Sequence, residues 1–170
     1  MEKKLNDDEM LQRIKHACSA SVGVMESSFL CQSLGALCTK DPLTLTQDKS
    51  VGEAIQLLQK HKVGCVAVVD VPGKIVGIFT ERDCVLKVTG RSPDVSERSV
   101  MEFMTPNPIC QRPDCTIAFA LNLMSSGGFR HIPVVDDDDH PIGVVSVKDV
   151  VDYIVGKMLD DLVNFEGIVV

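Results

Sequence analysis

The chain lacks most of what marks a membrane, secreted or nucleic-acid-binding protein. No apolar run approaches the roughly 18 residues that a membrane helix needs. The opening residues, Met1-Glu-Lys-Lys-Leu-Asn-Asp-Asp, hold no apolar core of the signal-peptide kind. Basic residues are outnumbered, 17 Lys and Arg against 24 Asp and Glu, and the net charge of −7 argues against a nucleic-acid surface, which wants clustered cations. The 7 cysteines are an odd count with no C-x-x-C spacing, and the close pair Cys110 and Cys115 has no second pair to complete a zinc site. Reduced thiols in a cytoplasmic protein, mostly small core residues, are the expectation. Catalytic signatures are as scarce. There are 4 histidines, and Ser146 stands in no nucleophile elbow and has no recognisable His and Asp partners. An enzyme is not the expected reading.

What is present is a repeat. With 170 residues, 45% hydrophobic and 24% charged, the chain fits one compact globular unit with a sizeable core. Gly77-Ile-Phe-Thr-Glu-Arg-Asp83 returns as Gly143-Val-Val-Ser-Val-Lys-Asp149, an offset of 66 residues. Each copy reads as strand end, turn and helix start. Thr80 and Ser146 fall where a helix N-cap is expected, beside free backbone N–H groups and a partial positive charge that suit a phosphate. Asp83 and Asp149, three residues on, could accept two hydrogen bonds from neighbouring hydroxyls such as a ribose diol. A single copy would be read as a plain capping box; two in register invite a test of the whole repeat.

The register holds from Ser33–Val88 to Ser99–Ile154 without insertion: Thr39 matches Thr105, Pro42 matches Pro108, and Val68-Val69-Asp70 matches Val134-Val135-Asp136. Such self-similarity marks duplication of one supersecondary unit that buries its core against its twin. Each unit opens with a turn of helix (Leu34 to Leu37; Val100 to Phe103) and an extended piece (Pro42 to Thr46; Pro108 to Gln111). A helix follows, Val51 to about His61 and Ile117 to about Ser125, with Ser50 and Thr116 as caps. Two β-rich strands come next, Cys65 to Val69 with Ile75 to Phe79, and Ile132 to Val135 with Ile142 to Val145, joined by turn residues. A last helix begins at Glu81 or Val147. The order is β-α-β-β-α, twice, an α+β architecture forming one pseudo-two-fold module. Domain one spans residues 33–90 and domain two 99–154. Gly90 to Ser99 reads as the linker, residues 1–32 as a helical leader with an apolar stripe from Met10 to Cys18, and 155–170 as a tail that packs on the module or on a partner.

Thr39-Lys-Asp-Pro, Met104-Thr-Pro-Asn-Pro, Arg130-His-Ile-Pro-Val-Val-Asp and the doubled G-h-h-[ST]-x-x-D give the chain its kinship. It resembles a tandem pair of cystathionine-β-synthase (CBS) domains over roughly Ser33 to Ile154. The resemblance implies a non-catalytic sensor with two clefts for adenosine-containing ligands (AMP, ADP, ATP or S-adenosylmethionine), no obligatory cofactor, and pairing into a homodimer. It implies ribose binding by Asp83 and Asp149, and phosphate or ribose contacts from Thr80 and Ser146. Val66 and Ile132 would flank adenine with backbone groups, and Thr39 and Thr105 would supply a further contact. Arg130 and His131 would meet phosphate. Their counterparts Gly64 and Cys65 weaken the case for phosphate in the first unit's cleft, so a site rimmed by Arg130 and His131 is favoured. Arg82 and Lys148 match each other, either as ligand contacts or as solvated helix charges.

Two other readings stay open. Asp136-Asp-Asp-Asp-His140 offers oxygen ligands to a hard cation, although adjacent carboxylates in a turn more often form a solvated loop. A structural dimerisation module with empty clefts is the second. The regulated partner protein is not encoded in the chain.

Overall fold

The computed structural model describes Gln12, residues 27–91 and residues 93–166. The expected leader stripe from Met10 to Cys18 lies outside these but for Gln12. Strand β1 (Thr44–Thr46), helix α1 (Val51–His61), β2 (Cys65–Val69) and β3 (Ile75–Thr80) build the first repeat, closed by α2 (Glu81–Asp83), which runs on as a π-helical turn over Cys84–Val88. The second comprises β4 (Thr105–Pro106), α3 (Ile117–Gly127), β5 (His131–Val135), β6 (Pro141–Ser146) and α4 (Val147–Glu166). The α+β architecture is the one expected, and the helices and paired strands match the expected spans to within two residues wherever limits were given.

Local chemistry explains these limits. Ser50 accepts from Glu53 N–H and Glu53 accepts from Ser50 N–H, a reciprocal box that opens α1. Thr116 caps α3 by accepting from Phe119 N–H. Both helices close on a left-handed residue, Lys62 at φ 52° and Gly128 at φ 69°. The final helices differ most. The π turn after α2 gives way at Gly90, whose φ of 80° a side chain would disfavour, whereas α4 runs for 20 residues.

Two sheets carry the fold. One has the order β1-β2-β3-β4, the other pairs β5 with β6. β1 runs parallel to β2, with Leu45 opposite Val68, and Gln111 bridges in parallel to Val134 at the matching place. β2 pairs antiparallel with β3 and β5 with β6, and both hairpins shift register at the same point, Val68/Val69 and Val134/Val135. The pseudo-two-fold symmetry thus reaches the backbone irregularities.

The repeat and the packing unit are not the same stretch of chain. Leu34 N–H donates to Cys115 C=O, and Val100 N–H donates to Lys49 C=O. Each repeat's lead-in segment therefore pairs with the residues that start the other repeat's helix. The cores follow suit. Val100, Phe103 and Met104 of the second repeat pack with Val51, Val66, Val68 and Phe79 of the first. Leu34 of the first packs with Ile117, Ile132, Val134 and Val145 of the second. Fully burying one such side chain contributes about 1.5–3 kcal/mol, so neither repeat completes its core without the other.

The linker from Gly90 to Ser99 is packed: Pro93–Glu97 forms a 3₁₀ turn, Val95 is buried, and Gly52 permits the approach of Ser96, whose carbonyl would lie 2.9 Å from an added Cβ. Its flanking Arg91 and Arg98 lie over the Phe103 ring at 5.6 and 5.3 Å. One expectation needs correction: Cys31 is disulfide-bonded, while Cys38, Cys65, Cys84, Cys110 and Cys115 are free.

Candidate functional site

The crossing of the lead-in segments creates two clefts on either side of the pseudo-two-fold axis. Thr105 and Pro106 add as β4 to the edge of β3, placing Ile78 opposite Thr105 and Gly77 opposite Pro106. Gly77 makes room there: a Cβ would lie 2.2 Å from Met104 Sδ, so the Met104 side chain would have to shift. The twin glycine, Gly143, faces Cys38, whose Sγ would be 2.5 Å from an added Cβ. Each motif glycine is thus the seat of the other repeat's lead-in.

The first cleft, about 340 Å³, is lined by Ile78, Thr80, Arg82 and Asp83 from the first motif. Thr105, Asn107, Pro108, Ile109, Phe129, Arg130 and His131 face them from the second repeat. The second, about 540 Å³, is lined by Val144, Ser146, Lys148 and Asp149, with Lys40, Asp41, Pro42, Leu43, His61, Lys62 and Cys65 opposite. Gly64 and His131 belong to both. Each cleft joins one apolar wall to a polar end, the usual composition of a small-molecule site.

The motif hydroxyls and aspartates do form capping boxes. Asp83 Oδ2 accepts from Thr80 N–H at 2.9 Å and Thr80 Oγ1–H at 2.7 Å. Asp149 Oδ2 accepts from Ser146 N–H at 2.7 Å and Ser146 Oγ–H at 2.6 Å. The capping geometry occupies one carboxylate oxygen and orients the other. That other oxygen sets the clefts apart. Asp83 Oδ1 pairs with Lys87 Nζ at 2.7 Å and lies 3.4 Å from Thr105 Oγ1. Lys87 also donates to the carbonyls of Phe103 at 2.7 Å and Met104 at 3.1 Å, tying α2 to the β4 lead-in. The residue matching Lys87 is Tyr153, and Asp149 Oδ1 makes no hydrogen bond among the described residues.

The candidates are redistributed by this geometry. Arg130 sits with Thr80 and Asp83, not with the motif of its own repeat, so the first cleft, where phosphate contacts had seemed weakest, holds the guanidinium. The reason is the crossing itself: the start of β5 faces the start of β2 across the axis. Thr105 likewise joins Asp83. Thr39 is exposed and lines neither cleft; its neighbours Lys40 and Asp41 take that place. Val66 and Ile132 have fully buried side chains in the two cores and line neither cavity. Ile78 and Val144, two-fold mates on β3 and β6, form the apolar walls instead. Arg82 donates to Gly128 C=O at 2.6 Å, at the end of α3, while Lys148, at the rim of the second cleft, pairs with Asp152 one turn along α4. Lys87, Asn107 and Phe129 are not among the sequence candidates; for Lys87, its mismatch with Tyr153 at the matching position was the available signal.

Titration and loop chemistry fit a binding role. Burial, and next the charge of Arg130, lowers the pKa of His131 below its ordinary value; Asp149 and Glu81 oppose this more weakly. Burial pushes the Cys65 thiol up to about 12, so it is no ready nucleophile. In the acidic turn, Asp136 Oδ1 accepts from Asp138 and His140 N–H, and Asp139 pairs with Arg112 at 3.1 Å. Asp70 accepts from Gly73 and Lys74 N–H in the matching turn. These carboxylates shape hairpins, and no cluster of metal-ligating side chains is found among the described residues. No helix of the described residues is long and apolar enough to cross a membrane.

Comparison with known proteins agrees with this architecture. Residues 34–90 and 100–156 each match the CBS domain family. The inosine-5′-monophosphate dehydrogenase of Methanocaldococcus jannaschii is 32% identical over 111 residues, 65% of this chain and 21% of that enzyme. The chain thus spans about a fifth of that curated relative's length. The crystal structure of a CBS-domain containing protein from Agrobacterium tumefaciens superposes with a TM-score of 0.65 at 35% identity, covering 71% of this chain and 98% of that one. A CBS domain pair crystallised with 5′-methylthioadenosine and S-adenosyl-L-methionine superposes with a TM-score of 0.67 at 28% identity, covering 75% and 98%. Two matched repeats, crossed through one another around a shared axis, make this chain a member of the CBS domain family, a tandem CBS pair.

Proposed function

We propose that the chain is a non-catalytic regulatory module that binds adenosine-containing ligands, AMP, ADP, ATP or S-adenosylmethionine, in its two clefts. One observation carries the reading: in both clefts a hydroxyl and an aspartate of a helix start face an apolar wall, with cations at the rim. Thr80 and Asp83 meet Ile78, Arg82 and Arg130; Ser146 and Asp149 meet Val144, Lys40 and Lys148. The aspartate suits a ribose diol, the wall an adenine face, and the cations a phosphate or a carboxylate. The related CBS pair that holds S-adenosyl-L-methionine supports the ligand class.

The module works as a homodimer in the cytoplasm and reports ligand occupancy to a separate protein. The exposed apolar residues Val85 and Leu86 after α2, and Val151, Val155, Met158 and Leu159 on α4, support a paired surface. Isothermal titration with the four ligands tests the reading. Binding of at least one at submillimolar concentration is expected; if none binds at millimolar concentration, a structural dimerisation module takes its place.

A further inference from the structure

We propose that His131 couples the two clefts, so that a phosphate-bearing nucleoside seated in one weakens binding of a second in the other. The inference rests on the nucleotide reading above and adds to it a sign and a residue. His131 is a single side chain at the common wall of both cavities. The residue opposite is Gly64, where an added Cβ would stand 2.8 Å from His131 Nε2, so the ring fills the space on the axis that a side chain at 64 would take. The repeat does not duplicate this feature: the two-fold mate of His131 is Cys65. Two clefts therefore share one imidazole.

The charges around the ring decide how it responds. Arg130 precedes it on β5, Glu81 and Asp149 approach from the starts of α2 and α4, and burial favours the neutral ring. Arg82 and Asp83 lie across the first cleft, and Lys40, Asp41, His61, Lys62, Cys65 and Lys148 across the second. A phosphate dianion arriving in either cleft favours the imidazolium, which takes its proton from solvent and donates an N–H to phosphate oxygen. That ring then serves the occupied cleft. A second phosphate meets an imidazolium already engaged, and a like charge across the same narrow wall.

The test is calorimetric titration of the intact protein and of His131→Gln with AMP, in two buffers of different ionisation heat near neutral pH. The native protein is expected to bind in two steps, with proton uptake confined to the first. In His131→Gln the strong step weakens, the proton uptake disappears, and the ratio between the two dissociation constants shrinks about tenfold, within the ordinary range of coupling between sites. If the native protein fills one cleft only, the variant must reveal the second. A ratio unchanged within twofold, or a variant that also binds one AMP, overturns the coupling and leaves the nucleotide reading standing. Should the variant fail to fold, the native proton count decides: equal uptake in both steps, or none, overturns it. Absence of any AMP binding overturns this inference, while the four-ligand titration judges the reading beneath it.

Discussion

Asp83 and Asp149 stand at the same position of the same motif, hold the same capping box, and differ in the neighbours of the second carboxylate oxygen. Asp83 is buried and paired with Lys87, itself anchored to two carbonyls of the other repeat's lead-in. Asp149 is half-buried, with Tyr153 where the lysine would be. The first cleft is thus a stapled structure: its aspartate already has a charge partner, its lead-in forms a strand on β3, and two guanidiniums stand at its rim. The second is wider, its lead-in forms no strand, and its aspartate keeps an oxygen for a newcomer. Duplication supplies equivalent frames, and Lys87, Thr105 and the β4 pairing fasten one of them while the other stays open.

The largest expected effect breaks the staple. Lys87→Met leaves a buried carboxylate without its cation and two carbonyls without their donor, at a cost of about 2 kcal/mol, well below the 3–5 kcal/mol of a wholly buried pair because the lysine is partly exposed. The melting temperature should fall by about 4–8 °C, whereas Tyr153→Phe at the matching position should cost less than about 0.5 kcal/mol. Equal losses from the two would remove the proposed difference between the clefts. Adding Asp83→Asn to Lys87→Met should restore part of the loss, as both charges then vanish.

Ligand selectivity sharpens the comparison further. Arg130→Gln should weaken AMP in the first cleft by roughly tenfold, through loss of a charge-assisted bond worth about 1.5 kcal/mol, and leave adenosine there unchanged. Binding in the second cleft should persist. An equal loss for adenosine and AMP would show that Arg130 shapes the cleft instead of meeting phosphate.

The shared histidine contributes a smaller, pH-dependent effect. With its folded pKa held below the ordinary value by burial, His131 is neutral in the fold, and the unfolded chain takes up the proton first as pH falls. The stability from this group is present above about pH 6.5 and is lost as pH drops from there toward the lowered folded value. Melting temperatures from pH 5 to 8 should therefore slope more steeply for the native protein than for His131→Gln. Parallel curves would mean the ring is freely solvated.

The smallest effect concerns the ends of the paired helices. Lys62 carries the left-handed conformation that Gly128 adopts at the matching position. Lys62→Gly should relieve that backbone strain and stabilise the fold by about 0.5 kcal/mol, the gain being limited by glycine's larger unfolded entropy. A destabilised variant would show that the lysine side chain holds the second cleft's rim.

Local signals in the sequence were enough for the elements and their order. Ser50 with Glu53, the β-rich run from Cys65 to Val69 and the doubled glycine motif depend on neighbours a few residues away, so caps, strands and the duplication were legible residue by residue. The motif aspartates were legible for the same reason, since a capping box is local chemistry. Arg130 and Thr105 were recognised as candidates but assigned without knowledge of which motif they would meet. That depends on the crossing of the lead-in segments, and no pattern within a repeat encodes which core an apolar Leu34 or Val100 will enter. Val66 and Ile132 were assigned to the adenine, through backbone groups, by the family resemblance alone; their side chains belong to the cores because both faces of these strands are buried. What the sequence determined by itself was the repeat: two β-α-β-β-α units, their caps, and the hydroxyl–aspartate pair at each helix start. What only the tertiary structure decided was their partnership, because contacts between residues far apart in the chain, Lys87 with the Phe103 and Met104 carbonyls, Arg130 with Thr80, and His131 with Gly64, form only when each repeat completes the other's core.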